Sequence, residues 1–370
     1  MKVAVIGGGM IGSLIVDDLA GDFDVTIIDN NEIALERIKQ RNQNISTINA
    51  DVKDSIIEDV IANNDLAVNC LPGSMGFKTL RKIVQCKTSC VDISFMPEDC
   101  LELSKLALKN NCLVIPDAGV APGLSNLIVG NIVTSNKIEE IRIMVGGLPK
   151  KKNPPWNYKA PFSPIDVIEE YTRPARIRVN GNIEIRDALS NKQVIEVEGI
   201  GELEAFLTDG LRTLLDPKGV LSEVPNLMEF TIRYPGHRDL IKRMVDRGHF
   251  SSEIVTHNGK EMTKKQKTCE DLFRAWKLGK DEKEFTFMLI LAKTDEDVDI
   301  SYTVYDDYTQ GWSSMSRTTG LTACAFSRLI LEKKITEKGV ICPETLGTNG
   351  LFYDYILDYL SNKGILIQSY

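Results

Sequence analysis

The stretch Val3-Ala4-Val5-Ile6-Gly7-Gly8-Gly9-Met10-Ile11-Gly12, followed by Val25-Thr26-Ile27-Ile28-Asp29, decides the fold. Residues 2–6 form a short, β-branched apolar run, the pattern of a strand covered on both faces. Ile11, Leu14, Ile15 and Leu19 then recur on one helical face. A second apolar strand over 25–28 ends at Asp29. Gly-x-Gly-x-x-Gly between strand and helix, with an acid closing the next strand, predicts a dinucleotide-binding βαβ unit. Gly7 allows the tight turn, Gly9 lacks the Cβ that would block a diphosphate, and Gly12 lets helix and strand approach. The helix start at Met10 and Ile11 offers unpaired N–H groups at the positive end of the dipole, which suits phosphates. Asp29 is placed to accept the adenosine ribose hydroxyls. Asn30 and Asn31 follow it, rather than an Arg, so the pattern favours NAD over NADP.

The alternation continues, with strand-like runs at 45–48, 66–70, 90–93 and 113–115 separated by helix-length segments. This predicts a doubly wound parallel sheet, whose ligands sit beyond the carboxyl ends of its strands. Asp51, Val52, Leu71, Pro72, Ser94, Phe95, Gly119 and Val120 are there, as candidates for contacting adenine, the central phosphates and nicotinamide. Each also reads as a plain strand-end loop. From about residue 141 the period changes to two, as in Ile141, Ile143 and Val145 and again in Val298, Ile300, Tyr302 and Val304. Asn180-Gly181 between two short strands is a hairpin signal. Helices are expected over 165–171 and 201–215. The fold class is therefore α/β: a Rossmann sheet followed by an α+β domain with a mostly antiparallel sheet. The expected division is 1–128 for dinucleotide binding, 129–317 for substrate binding and dimerisation, and 318–370 for C-terminal helices packing back on the first domain.

Composition excludes several classes. The 370 residues are 43% hydrophobic and 26% charged, which suits globular domains rather than disorder. A net charge of −8 argues against nucleic acid as the main partner. No apolar run reaches the ~18–20 residues that a membrane helix needs, and the start of the chain lacks a signal peptide, so a cytoplasmic protein is expected. The 8 cysteines contain no C-x2-C pair and read as reduced, buried thiols. The 3 histidines are not grouped at ligand spacing, so no metal is expected.

Several stretches together resemble the saccharopine dehydrogenase family: Gly7 to Gly12, Leu71-Pro72-Gly73, Val91-Asp92-Ile93-Ser94-Phe95, and Asp117-Ala118-Gly119-Val120-Ala121-Pro122-Gly123-Leu124-Ser125-Asn126. Thr208-Asp209-Gly210-Leu211, Arg233-Tyr234-Pro235-Gly236-His237 and Met315-Ser316-Arg317-Thr318-Thr319-Gly320 extend it nearly end to end. The resemblance is strongest to the lysine 6-dehydrogenase branch. It implies a homodimeric NAD(P)-dependent oxidoreductase acting on the C–N bond of a lysine-type amino-acid substrate. In that branch, NAD takes hydride from the ε-carbon of L-lysine and the semialdehyde cyclises to 1-piperideine-6-carboxylate. Saccharopine reductases of the family carry Asp-Pro-Gly where this chain has Ala121-Pro122-Gly123, a departure that favours the simpler amine. The rival enzyme readings are a saccharopine dehydrogenase or reductase and a polyamine-related carboxyamine dehydrogenase. A non-catalytic NAD-binding regulatory protein is the rival of another class.

The chemistry sets its own demands. An ammonium cannot release hydride until it loses its proton, so the site needs a base in a dry pocket. It also needs a cation for the substrate carboxylate. Asp117, at a strand end where nicotinamide is expected, is the candidate base or ammonium anchor; capping the following turn is its plainer reading. Asp92 is a second candidate, with binding of backbone amides as the alternative. His237 is a candidate proton shuttle near neutrality. Arg212 and Arg233 are candidates for the carboxylate, and Tyr158, beside Trp156 in the Pro-rich segment 150–164, for a wall of the substrate cleft.

Overall fold

A computed structural model describes residues 1–160, 164–279 and 282–370. Part of the segment 150–164 therefore lies outside the described residues. The chain divides into two compact units. Unit 1 comprises Met1–Asn136, Arg212–Ser222 and Met315–Ile365; unit 2 comprises Lys137–Leu211, Glu223–Ser314 and Leu366–Tyr370.

Unit 1 is built on strands β1 (Lys2–Ile6), β2 (Asp24–Asp29), β3 (Ser46–Asn49), β4 (Leu66–Asn69), β5 (Ser89–Asp92) and β6 (Leu113–Ile115). With Gly339–Val340 at the β6 edge they form a seven-stranded sheet in the order β6-β5-β4-β1-β2-β3. The pairings are all parallel. Val3, Ala4, Val5 and Ile6 are all buried because β1 is flanked by β2 and β4 and covered on both faces, which is why its sequence shows no polar alternation. Helix Met10–Leu19 buries Leu14, Ile15, Val16 and Leu19. Against it packs helix Ser314–Leu331, where a Cβ on Gly320 would lie 2.8 Å from Leu14. Buried Asp18 clamps the same junction, accepting from Tyr359 (2.5 Å) and pairing with Lys363 (2.5 Å) and Arg328 (3.2 Å).

Unit 2 contains β7 (Ile138–Pro149), β8 (Ala175–Val179), β9 (Asn182–Arg186), β10 (Gln193–Val197), β11 (Gly201–Leu207), β12 (Asn226–Arg233), the small hairpin β13 (Ile254–His257) and β14 (Lys260–Thr263), then β15 (Glu284–Thr294) and β16 (Asp299–Asp307). The main sheet runs β10-β11-β12-β7-β15-β16 and ends with Leu366–Ser369, while β8 pairs with β12 and β9. Only β7 with β12 is parallel among the pairings of this sheet. Asn180 and Gly181 both have positive φ (49° and 80°), as the two-residue hairpin requires. One expectation fails: 201–215 is not a helix but strand β11 followed by the 3-10 turn Arg212–Leu215. Leu203, Ala205 and Leu207 join one core while Phe206 enters another, so burial on both faces overrides the helical preference of Glu, Leu and Ala.

Candidate active site

The glycine turn behaves as its spacing predicts. Gly7 has φ +103°, and a Cβ there would lie 2.9 Å from the Cys70 carbonyl oxygen. A Cβ on Gly12 would overlap the Gly7 carbonyl. Packing within the chain thus demands both glycines. Gly9 differs: nothing lies within 4 Å of where its Cβ would be, and its backbone is extended (φ −68°, ψ −167°). Nothing within the chain therefore requires a glycine there, and the space beside it is open. The helix behind it has no side-chain N-cap and no acid in its first turn, and Met10 is 47% exposed. That leaves amide donors and the positive dipole end for an anion. Asp29 accepts from Gly8 N (2.5 Å) and from Asn31 N (2.7 Å), so its carboxylate braces the lip of this cradle. These features fit a dinucleotide diphosphate and its neighbouring ribose. Asp51, by contrast, bonds its own turn through Lys53 N (2.9 Å), and the Val52 carbonyl accepts from Lys82 (3.1 Å).

The ends of β4, β5 and β6 carry a buried polar network. Asn69 donates to Asp92 (2.6 Å), which also accepts from Ser94 N (2.8 Å) and Ser94 Oγ (2.5 Å). Burial pushes the Asp92 pKa up to about 7, against the opposing bonds from Ser94 and Asn69. Asp92 therefore holds the loop 94–96, the plainer of its two readings. The loop is pinned further because Cβ atoms on Gly73 and Gly76 would overlap Phe95 O and Ser94 Oγ. Leu71 packs against Gly7, and Pro72 is exposed.

Two residues beyond β6, Asp117 is buried and receives Arg212 Nε at 2.6 Å. Arg212 also donates to the Met96 carbonyl, and its guanidinium lies 5.6 Å from the Phe95 ring centre. Both partners have left-handed backbones (φ 52° and 47°). Such strain in non-glycine residues persists only where the surroundings over-determine it, and it clusters at functional sites. The turn after Asp117 is closed by Gly119 N to Pro122 O (3.0 Å) and Leu124 N to Gly119 O (2.8 Å). Gly119 and Val120 are buried in it. The pairing of Arg212 with Asp117 spans 95 residues and has no local sequence signal.

The other three candidates meet in unit 2, and the structure corrects each. Tyr158 is fully buried in a core with Tyr171, Phe206 and Trp276, so it walls no cleft. Arg233 donates to Tyr171 Oη (2.8 Å), Ile232 O (2.9 Å) and Glu170 (3.3 Å) and lies 4.5 Å from the Tyr158 ring centre. Its guanidinium is committed internally. His237 is fully buried between Tyr171 Oη (3.1 Å) and Trp156 O (2.8 Å). Burial, with the Arg233 charge, pushes its pKa down to about 3, so the expected titration near neutrality is replaced by a neutral structural ring. Among the described residues no group of three or more His, Cys, Asp or Glu could hold a metal ion, and all 8 cysteines are free thiols. No helix among them is long and apolar enough to cross a membrane.

Comparison with known proteins matches the chain in two stretches. Residues 3–115 match the family model of the saccharopine dehydrogenase NADP binding domain, and residues 119–365 match that of the saccharopine dehydrogenase C-terminal domain. Saccharopine dehydrogenase [NADP(+), L-glutamate-forming] of Saccharomyces cerevisiae is 23% identical over 258 residues, which are 67% of this chain and 58% of that protein. The mitochondrial alpha-aminoadipic semialdehyde synthase of Bos taurus is 23% identical over 192 residues, 49% of this chain and 21% of that protein. The chain thus spans little more than half the length of the fungal relative. The apo structure of saccharopine dehydrogenase (L-Glu forming) from Saccharomyces cerevisiae superposes with a TM-score of 0.80 at 18% identity, covering 100% of this chain and 99% of that one. Together the two family models cover most of the chain, which belongs to the saccharopine dehydrogenase family of oxidoreductases.

Proposed function

We propose that the chain is a nicotinamide-dependent oxidoreductase that oxidises the C–N bond of a lysine-type amine, with L-lysine as substrate and NAD as cofactor. The observation that carries this reading is the buried Asp117–Arg212 pair, set at the strand ends of the unit that holds the Gly7–Gly12 cradle. When bound, the nicotinamide supplies the hydride acceptor. Asp117 takes the proton from the substrate ammonium, which frees the nitrogen lone pair to expel hydride. Arg212 fixes the carboxylate by a charge-assisted bond, so the base needs no reorganisation as the proton moves. Asp117 itself is buried, which limits the access of water to the imine. Ala121-Pro122-Gly123 supports the simpler amine. The name of the fungal relative supports the second reading, in which saccharopine is the substrate. Incubation with L-lysine or saccharopine and either dinucleotide separates the two. Reduction of NAD by L-lysine is expected, and reduction by saccharopine alone would overturn the lysine reading. We further propose a homodimer, on the resemblance noted above.

The cofactor preference has its own test. Asp29 would face the ribose in this reading, and a 2′-phosphate there would meet a carboxylate followed in sequence by Asn30 and Asn31 rather than an Arg. Asp29→Ser with Asn30→Arg is expected to shift the NADP-to-NAD affinity ratio at least about tenfold, ~1.4 kcal/mol, towards NADP. Fluorescence titration with both reduced dinucleotides measures it. A native protein that already prefers NADP would contradict the ribose argument.

A further inference from the structure

We infer that Glu344 is a positioning residue for the Asp117–Arg212 pair, acting through Asn126 and Thr213; the inference rests on the reading of that pair as the reacting site. Glu344 lies 218 residues from Asn126 in sequence, yet its side chain is buried beneath the turn that follows Asp117. Two glycines make this placement feasible. A Cβ on Gly130 would overlap the Glu344 carbonyl, and one on Gly347 would overlap the Leu127 carbonyl. The short helix Pro343–Gly347 can therefore lie backbone to backbone on helix Leu124–Ser135.

From there the carboxyl reaches both halves of the site through Asn126. Asn126 Nδ2 donates to Glu344 Oε2 (3.1 Å) and lies 3.3 Å from Thr213 Oγ1. Asn126 Oδ1 accepts from Gly123 N (3.2 Å) and Ser125 Oγ (3.0 Å), which ties it to the turn carrying Asp117. Thr213 directly follows Arg212 in the chain. Asn126, held by Glu344, thus joins the backbone that orients the acid to the backbone that orients the arginine. Burial raises the Glu344 pKa to about 7, and the Asp117 charge adds to the effect. A neutral amide of the same shape should therefore serve nearly as well as the acid.

The test uses the full chain with Glu344→Gln, Glu344→Ala and Thr213→Val. The last is nearly isosteric and keeps the assay available should the alanine variant fail to fold. Glu344→Ala and Thr213→Val are expected to lower kcat for amine oxidation about 10–100-fold, the scale of a small misplacement of reacting groups. KM and dinucleotide affinity should change less than threefold, and Glu344→Gln should restore kcat to within threefold. Exchange of the Arg212 Nε proton with water, followed by NMR, gives a readout independent of turnover: it should quicken at least tenfold in the two disruptive variants and not in Glu344→Gln. Lower thermal stability with kcat and Arg212 exchange unchanged would overturn the inference. Quickened exchange in a protein that oxidises no amine would leave Glu344 as the holder of the pair and refute the functional reading instead.

Discussion

Asp117→Asn is expected to lower kcat for amine oxidation about 10³-fold, within the range for loss of a positioned base. The amide keeps the size of the side chain but cannot take a proton. The same change leaves the Arg212 guanidinium buried without its counter-charge. Removing one partner of a buried pair costs ~3–5 kcal/mol, whereas replacing both by apolar groups is often neutral. The double variant Asp117→Asn with Arg212→Met is therefore expected to recover most of the lost stability and none of the activity. Chemical denaturation beside steady-state kinetics reads both effects. Full activity in Asp117→Asn would remove Asp117 from the chemistry.

A fall in stability with rising pH is the second large effect. Glu229 is buried, accepts Thr208 Oγ1 (2.6 Å) and has its pKa pushed up to about 8, chiefly by burial. Asp92 and Glu344 are raised to about 7 for the same main reason. A carboxyl with a raised folded-state pKa keeps a proton that the unfolded chain has released, so stability is full below its ordinary pKa near 4.5 and is lost as pH rises through the folded value. Each such group contributes a slope of up to ~1.4 kcal/mol per pH unit inside its window. His237, lowered from 6.5 to about 3, gives the opposite slope, but only below 6.5. Carboxylates with lowered values, such as Asp18, are ionised in both states there. Between about pH 6.5 and 8.5 the slopes share one sign, and their sum is several kcal/mol. Tm should fall across that range. Glu229→Gln should flatten the profile, since Thr208 and Thr231 can reverse their hydroxyl bond (2.9 Å) to suit an amide. A Tm that is level or rising from pH 6.5 to 8.5 would show that these carboxyls are already ionised in the fold.

Features set by near neighbours in the chain were legible in the sequence. The Gly7–Gly12 turn, the Asn180-Gly181 hairpin and the parallel strands each depend on backbone geometry that a few residues specify. Burial that comes from distant segments was not. His237 follows Gly236, whose φ of 90° marks a turn that the Tyr-Pro-Gly-His pattern announces. Burial among Tyr158, Tyr171 and Trp276, with the nearby Arg233 charge, makes that histidine neutral. Arg212 and Arg233 look alike as lone arginines, yet one meets a strand-end acid and the other is enclosed by Tyr158, Tyr171 and Glu170. Glu344 carried no signal, because its role depends on two glycines that let separate helices touch.

Calorimetric titration of the protein with NADH, on the native chain and on Gly9→Val, tests the central claim most directly. The native chain should bind one dinucleotide. Gly9→Val should keep its Tm, since an added side chain meets nothing within 4 Å of its Cβ and the backbone there is extended, yet lose binding by at least a hundredfold, about 2.7 kcal/mol. Absence of binding to the native chain, or undiminished binding to Gly9→Val, would contradict the claim that the first helix cradles a diphosphate.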